Sequence, residues 1–159
     1  MDKMLAILKE NGRISLEELS DMLGIGTDEA ADRLDAYIAS GVIRGFTAVT
    51  DWEKADEKYV TALIDLKVTP VKNYGFDSIA REIASYDEVE SVYLMSGGYD
   101  LGLTIHASNF RDVALFVYDR IAPLDGVVST ATHFVLRRYK EAGISFLEEQ
   151  RDERSEFLE

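Results

Sequence analysis

Residues 89–107 read VESVYLMSGGYDLGLTIHA, and the rest of the fold can be worked out from this stretch. Two apolar runs flank residues 96–100 (SGGYD), and two such runs joined by a turn with a Gly pair predict a β-hairpin. The second run alternates apolar with small or polar side chains, which is typical of a strand with one buried face. The first run is apolar on both faces, since Tyr93 and Met95 point away from Val92. A strand of this kind must be covered on both sides, so we expect helices of the same chain on one face and a second subunit on the other.

The turn of this hairpin is also a candidate ligand site. Gly97 and Gly98 can take a positive φ and leave their backbone groups uncovered, which suits a bound molecule. The alternative is that the two glycines only close the hairpin. Asp100 offers a carboxylate to a ligand, or it only ties down the turn, as Asp often does. The sequence leaves both alternatives open.

The composition restricts the class of protein. The chain has 159 residues, a formal net charge of −13, no cysteine, and two histidines, His106 and His133. The lack of cysteine excludes disulfides, thiolate zinc sites and a cysteine nucleophile, and two histidines are a poor metal set, so we expect neither a metal nor another cofactor. No apolar run approaches membrane-spanning length and no basic-then-apolar leader opens the chain, which favours a cytoplasmic protein. The negative charge argues against unaided binding to a phosphate backbone.

The first 46 residues predict three short helices and then an extended segment. Ser15 and Glu18 form a capping box that opens the second helix. Thr27 is expected to cap the third helix, Gly41 to end it, and residues 42–46 to begin a strand. The side chains expected to be buried on the second helix are Leu16, Leu19, Met22 and Leu23. This order is that of a winged helix-turn-helix, and the alternative is a three-helix packing unit without a nucleic-acid role.

Residues 59–139 predict the order β-α-β, turn, β-α-β, which is the ferredoxin-like α+β arrangement with two helices on one face of an antiparallel sheet. The first strand runs from Tyr59 to Val68, and the last is expected to run from Val127 to Tyr139. Ser108 or Asn109 is expected to cap the second helix of this domain. The apolar stripe expected on that helix is Phe110, Val113, Ala114, Val117, Tyr118 and Ile121. The other face of the sheet is too apolar to be left exposed to solvent, so we expect a homodimer in which the sheets of two subunits pack against each other.

The domain boundaries follow from composition. Residues around Trp52 are polar and charged and are interpreted as a linker, and the last residues form an acidic tail. The expected division is a winged helix-turn-helix domain at 1–46, a linker at 47–58, a ferredoxin-like domain at 59–140 and an acidic tail at 141–159.

Several short motifs occur in a fixed order along the chain. They are Gly12-Arg13-Ile14-Ser15, Glu18-Leu19-Ser20, Leu23-Gly24-Ile25, Arg33-Leu34, residues 41–48 (GVIRGFTA), residues 96–100, residues 124–127 (LDGV), Thr130 and Thr132. Together they resemble the Lrp/AsnC ("feast/famine") transcriptional regulators. The resemblance implies a DNA-binding domain joined to an effector-binding and oligomerising domain, often called RAM. It also implies dimers that assemble into higher oligomers and respond to amino acids or similar small metabolites.

The resemblance implies two sets of site residues. Those expected to contact DNA are Thr27, Asp28, Ala31, Asp32, Arg33 and Arg44. Those expected to bind the effector, an amino acid in the first instance, are Gly97, Gly98, Tyr99, Asp100, Thr130 and Thr132.

The third helix departs from the family pattern. Residues 28–40 contain four acidic side chains and one basic side chain, Arg33, where relatives place several Arg or Lys. Three alternatives remain open: a solvated face, a salt-adapted organism, or a regulator that has lost DNA binding and acts through protein or ligand contacts. Related chains of this architecture decarboxylate sirohaem, but their hairpin carries His and Asn near its Tyr. This chain has Gly98-Tyr99-Asp100 there, so we do not expect an enzyme.

Overall fold

The computed structural model of the chain describes residues 1–55, 57–70 and 75–147. The chain divides into two compact units, Met1–Val49 and a second unit that begins at Thr50. The boundary lies inside the polar segment 47–58. Each unit has a hydrophobic core of its own.

The first unit consists of three short helices with well-defined starts. Helices α1, α2 and α3 span Lys3–Glu10, Leu16–Leu23 and Thr27–Ala39. The Asp2 carboxylate accepts hydrogen bonds from the N–H groups of Met4 and Leu5 at the start of α1. The predicted capping box opens α2: Ser15 Oγ accepts from the Glu18 N–H at 3.2 Å, and the Glu18 carboxylate accepts from the Ser15 N–H at 3.3 Å. These bonds satisfy N–H groups that a helix start otherwise leaves without a partner.

The core of the first unit is small. Its fully buried apolar side chains are Met4, Leu19 and Ala30. Helix α2 ends at Gly24, whose φ of 69° lies in the left-handed region that glycine adopts without steric penalty. The tight turn that follows lets α3 pack on α2, which is the expected helix-turn-helix arrangement.

Two side chains expected in this core are exposed. Leu16 is 40% exposed and Met22 is 52% exposed. A helix of eight residues in a three-helix unit is covered by its neighbours only along a narrow line through Leu19, and its flanks stay in solvent. The stripe of buried side chains on α2 is therefore narrower than its apolar period predicts.

Two predictions at the ends of α3 are also wrong. Gly26 occupies the N-cap position, and Thr27 is the first helical residue, with its hydroxyl 3.4 Å from Ser20 Oγ. Residues 42–46 form no strand in the described part of this unit. An isolated extended segment has no neighbour with which to form ladder hydrogen bonds, and the first unit contains no second strand among its described residues.

The second unit is an antiparallel sheet with helices. Strands β1, β2, β3 and β4 span Val60–Val68, Val89–Leu94, Leu101–Ala107 and Val127–Phe134. Helix α4 spans Asp77–Ala84, and helix α5 spans Phe110–Phe116 and continues into a π-helical turn, Val117–Ile121. The strand order is β2-β3-β1-β4, with every neighbouring pair antiparallel. This topology confirms the predicted ferredoxin-like α+β fold.

One face of the sheet forms the core of this unit. The buried side chains of β1 alternate as predicted and are Ala62, Ile64, Leu66 and Val68. Residues directly opposite each other in an antiparallel ladder point to the same face. Leu66 lies opposite Leu101 of β3 and Thr130 of β4, so these three side chains share the face that the helices cover. The helices contribute the buried side chains Ile79, Ile83, Val113, Phe116, Val117 and Ile121.

The buried face of α5 differs from the prediction. Asn109 caps the helix as expected, with its side chain accepting a hydrogen bond from the Asp112 N–H at 2.9 Å. However, Phe110 and Tyr118 are exposed, and Phe116 is buried instead. Ala114, also expected in the stripe, is exposed as well. The buried positions 113, 116 and 117 follow i, i+3, i+4 spacing, so the buried stripe runs through Phe116, and Ala114 and Tyr118 lie beside it.

The last strand is shorter than predicted. Strand β4 ends at Phe134, and the chain then forms a small hairpin of two-residue strands, β5 (Lys140–Glu141) and β6 (Ile144–Ser145). The two turn residues between them have φ values of 46° and 88°, which suits a tight hairpin turn. The start of the expected acidic tail is therefore a hairpin, and residues 148–159 lie outside the described part of the chain.

Candidate functional site

The hairpin turn after β2 presents uncovered backbone groups. The Met95 N–H donates to the Asp100 carbonyl at 2.8 Å, which closes the turn. Gly97 has a φ of 153°, and a Cβ added at Gly97 or Gly98 would meet no atom within 4 Å. Within the described residues, the N–H groups of Gly97 and Gly98 donate no hydrogen bond. Two peptide N–H donors at this turn are therefore without a hydrogen-bond partner among the described residues.

Asp100 fixes this turn to the end of β1. Its N–H donates to the Leu66 carbonyl at 2.9 Å, and its Oδ2 accepts from the Val68 N–H at 2.9 Å. Its Oδ1 accepts from Lys67 Nζ at 3.3 Å. The hydrogen bond from the Val68 N–H, helped by the Lys67 ammonium and opposed by partial burial, lowers the pKa of the Asp100 carboxyl. Both carboxylate oxygens thus accept hydrogen bonds from the same chain. This is the role expected of Asp100 if it only holds the turn in place.

The structure brings some of the expected effector residues together and separates others. Gly97, Gly98, Tyr99 and Asp100 are consecutive in the turn, and Tyr99 is partly exposed. Thr130 and Thr132 lie opposite Leu66 and Ile64, so they point to the helix-covered face of the sheet. Asp100 precedes Leu101 in the strand direction and points to the other face. Within one chain, the two threonines therefore do not meet the turn.

The face of the sheet without helices carries large apolar side chains. Leu63, Tyr93 and Met95 are 46%, 62% and 40% exposed. Met95 folds over Gly102, where an added Cβ would lie 2.8 Å from the Met95 sulfur. This surface, with Leu63 and Tyr93 as its most prominent members, is called the open face below. The first hairpin strand, β2, is predicted to be apolar on both faces, and its second apolar face forms part of this surface.

The exposed side of α3 is acidic. The side chains of Asp28, Glu29, Asp32 and Asp35 are all exposed, whereas Ala31 is half-buried. Acidic residues in the first turn of a helix are favourable for helix stability, because they face the positive end of its dipole. The same carboxylates repel a phosphate backbone. Helix stability and DNA affinity are thus in conflict on this helix.

The basic residues expected to contact DNA have other contacts or lie apart from α3. The Arg33 guanidinium is ion-paired with the Asp2 carboxylate at 2.5 Å, which ties α3 to the start of α1. Arg44 is exposed, and its side chain folds back toward Gly41. Desolvation acts to raise the pKa of Asp2, but hydrogen bonds from the Leu5 and Met4 N–H groups and the charge of Arg33 together lower it. Arg33 is therefore held in a structural ion pair.

The sequence did not point to a cavity at the other end of β1. This cavity, of about 380 Å³, is called the Trp52 cavity. Its lining includes Trp52, Tyr59, Arg137, Arg138 and Phe146. Two signals could have indicated it: the only tryptophan of the chain lies in a segment interpreted as linker, and an Arg pair stands near the end of the predicted last strand of an acidic protein.

The described residues contain neither a candidate metal cluster nor a candidate membrane-spanning helix. No group of three or more His, Cys, Asp or Glu side chains among residues 1–55, 57–70 and 75–147 could hold a metal ion. No helix in that part of the chain is both long and apolar enough to cross a membrane.

Family comparisons agree with the fold of both units. The Lrp/AsnC ligand binding domain family matches residues 61–144, and the winged helix-turn-helix DNA-binding family matches residues 3–44. The HTH-type transcriptional regulator YugG of Bacillus subtilis is 47% identical over 145 residues, covering 91% of this chain and 87% of that protein. The proline dehydrogenase transcriptional activator of Rhizobium radiobacter is 28% identical over 142 residues, covering 89% of this chain and 90% of that protein.

Solved structures show the same architecture. A transcriptional regulator from Neisseria meningitidis in complex with L-Met has a TM-score of 0.71 at 25% identity, covering 89% of this chain and 93% of that one. The leucine response regulatory protein of Mycobacterium tuberculosis has a TM-score of 0.73 at 20% identity, covering 89% and 97%, and supports the fold alone. The chain therefore belongs to the Lrp/AsnC family of transcriptional regulators, with a winged helix-turn-helix domain followed by an Lrp/AsnC ligand-binding domain.

Proposed function

We propose that this regulator senses an amino acid at the turn formed by residues 96–100 and couples that binding to its contact with DNA. The observation that carries the proposal is the pair of uncovered N–H groups at Gly97 and Gly98, on a turn that Asp100 holds in place. Backbone N–H groups are suitable donors for the carboxylate of an α-amino acid. The solved complex of the Neisseria meningitidis relative with L-Met supports an amino acid as the ligand class.

Asp100 has two parts in this proposal. It positions the turn through its bonds with Val68 and Lys67, and its negative charge lies close to the ammonium group of a ligand held by Gly97 and Gly98. A carboxylate oxygen has lone pairs for more than one hydrogen bond, so the structural bonds leave room for a ligand donor. Thr130 and Thr132 of the same chain point to the other face of the sheet, so in this proposal they reach a ligand only from a neighbouring chain.

Dimerisation through the open face completes the proposal. A large exposed apolar surface on a soluble domain favours association, and a two-fold axis lets the same surface cover itself. Leu63, Tyr93 and Met95 would then become buried between two sheets. Since effector binding and dimer assembly share one domain, a ligand at the turn can bias assembly and thereby DNA affinity. We also infer a cytoplasmic location, because a DNA-binding regulator works where the DNA is.

The effector proposal can be tested by calorimetry with the twenty amino acids. Gly98 is the position to change, because an added Cβ there meets no atom within 4 Å and its φ is not positive. We expect Gly98→Glu to abolish binding of the amino acid that the wild type binds, because the new carboxylate repels the ligand carboxylate. Gly98→Ala is the matched control and should bind with affinity close to that of the wild type.

Two results would contradict the effector proposal. One is the absence of binding heat from the wild-type protein with any of the amino acids. The other is equal affinity of Gly98→Glu and Gly98→Ala for the ligand, which would place the site away from this turn.

A second candidate function is regulation without DNA contact by α3. The observation in its favour is that Arg33 is paired with Asp2, so that α3 presents carboxylates and no unpaired cation. In that case the protein acts through a protein partner or through ligand binding alone. An electrophoretic shift with genomic fragments at low salt separates the two functions: a retarded band supports DNA binding, and its absence supports the second candidate. The relatives are named as transcriptional regulators, so catalysis is not proposed.

A further inference from the structure

We propose that the Trp52 cavity is a second small-molecule site and that its ligand is an aromatic carboxylic acid. Three segments enclose the cavity: residues 51–54, the start of β1 and residues 135–147. Its volume of about 380 Å³ falls in the range of roughly 300–1,000 Å³ in which small-molecule sites lie.

The cavity is separate from the hairpin turn. The turn lies at the Leu66 end of β1, where Leu66 pairs with Leu101, and the cavity lies at the other end, where Thr61 pairs with His106. A strand rises about 3.3 Å per residue, so the five residues between these positions separate the two ends by roughly 16 Å. A ligand in the cavity therefore uses different residues from an effector at the turn.

Aromatic rings form the wall of the cavity. The Trp52 and Tyr59 rings stack with centroids 4.8 Å apart at 20°, and the Tyr59 and His106 rings stack at 5.2 Å and 13°. Burial, together with the nearby Glu90 carboxylate, raises the pKa of Tyr59, so its hydroxyl stays neutral. Phe146 adds a further ring to the lining. A planar ring inserted here gains offset or edge contacts with aromatic side chains that are already ordered.

The two arginines of the cavity have different contacts. Arg138 donates from Nη1 to Glu141 Oε2 at 2.7 Å and to the Thr50 carbonyl at 3.4 Å, and from Nη2 to Thr61 Oγ1 at 3.3 Å. Its charge is matched by Glu141, so it serves to hold the wall together. Arg137 is exposed, and no carboxylate of the described residues forms an ion pair with it.

The lining also contains Lys54 and the carboxylates of Asp51 and Glu53. Of the two guanidinium groups, Arg137 is the one that we assign to the ligand carboxylate. Its guanidinium lies 5.2 Å from the Tyr139 ring centroid, a cation–π contact that restricts its motion. A guanidinium presents paired N–H donors that match the two oxygens of a carboxylate. A ring against Trp52 and a carboxylate against Arg137 together define an aryl acid rather than an aliphatic amino acid or an aromatic amine.

The tryptophan provides the experiment. Trp52 is the only tryptophan of the chain, so its fluorescence reports on this cavity alone. The full-length protein would be titrated with 3-phenylpropionate and with two control compounds. 3-Cyclohexylpropionate keeps the carboxylate but lacks the aromatic ring, and phenethylamine keeps the ring but lacks the carboxylate. We expect a saturable change in Trp52 emission with 3-phenylpropionate, and binding of the other two probes weaker by about tenfold or more.

Variants separate this site from the turn. Arg137→Gln removes the cation without breaking an ion pair to any described residue, and we expect it to weaken 3-phenylpropionate binding by about tenfold or more. Arg137→Lys should recover part of the affinity. Gly98→Glu, at the turn, should bind 3-phenylpropionate as the wild type does. Circular dichroism would establish that each variant is folded.

Three results would overturn the proposal. The first is no saturable change of Trp52 emission up to the solubility limit of 3-phenylpropionate. The second is equal affinity for the aromatic and the cyclohexyl acid. The third is binding that Arg137→Gln leaves unchanged, whether or not Gly98→Glu abolishes it.

Discussion

At the scale of single residues, Asp100 shows how one side chain can organise a turn. Its carboxylate bonds to the Val68 N–H and to Lys67, and its N–H bonds to the Leu66 carbonyl. The sequence indicated that Asp100 matters at this turn, but not which partners it has. Those partners are more than thirty positions earlier in the chain and come close only because β1 and β3 are neighbours.

Protonation of Asp100 should destabilise the fold. The pKa of this carboxyl is lowered in the folded state, so its contribution to stability is present above the ordinary Asp pKa and is lost as the pH falls through the lowered value. We expect Asp100→Asn to be less stable than the wild type at neutral pH and to lose less stability on acidification. Denaturant unfolding at a series of acidic pH values measures both effects.

Asp87→Asn is the control for this experiment, since Asp87 is an exposed carboxylate that accepts no hydrogen bond from the described part of the chain. It should follow the wild type at every pH. If Asp100→Asn followed the wild type as well, the bonds to Val68 and Lys67 would not contribute to stability.

At the scale of secondary-structure elements, local sequence signals predicted helix starts well and helix burial less well. The capping box at Ser15 and Glu18 and the Asn109 cap depend on residues three positions apart, so they form wherever the helix forms. Burial depends on what lies opposite. Met22 and Tyr118 fit an apolar period but are exposed, because they lie beside the line of buried side chains on their helices.

Loss of the capping box should weaken the first unit. We expect Ser15→Ala to lower the free energy of unfolding by about 1 kcal/mol, because the Glu18 N–H loses its acceptor. Ser15→Asp is the matched control, since Asp is also a preferred N-cap residue. Denaturant unfolding would reveal the difference, and equal stability of the two variants would argue against a contribution from the cap.

Charge on α3 should control DNA affinity if this helix reads DNA. We expect Asp32→Arg/Asp35→Arg to bind duplex DNA more tightly than the wild type at low salt, because both side chains are exposed and each new phosphate contact adds about 0.9 to the salt slope. Fluorescence anisotropy with a labelled duplex measures affinity and slope. Glu82→Arg/Asp87→Arg makes the same charge change in the second unit and should have a smaller effect. An unchanged affinity of the α3 variant would exclude this helix as the reader.

At the scale of the whole molecule, the order of elements was predictable and the cavity was not. The alternation of apolar and polar side chains in β1 and in the hairpin determines which side chains face the helices. This pattern is local to each strand, so it can be read from the sequence. The Trp52 cavity requires Tyr59, Arg138 and Phe146 to converge after the chain has folded. The position of the cavity also depends on where β4 ends. Strand β4 ends at Phe134, five residues before the predicted end at Tyr139.

The open face should determine the oligomeric state. Light scattering should give the wild type a mass of at least twice the chain mass of 17.8 kDa. We expect Leu63→Glu to shift the protein toward the monomer, because Leu63 lies on β1 at the middle of the open face. Tyr118→Glu replaces an exposed apolar residue on the helix layer and should not change the mass. A wild-type monomer at micromolar concentrations would contradict dimerisation.

The most direct test of regulation by an effector is selection of genomic fragments by the full-length protein at low salt, with and without the amino acids. The proposed function predicts that a small set of fragments is enriched and that one amino acid changes their enrichment in the wild type and in Gly98→Ala but not in Gly98→Glu. Enrichment no greater than that of a protein-free control, or enrichment that no amino acid alters, would contradict it.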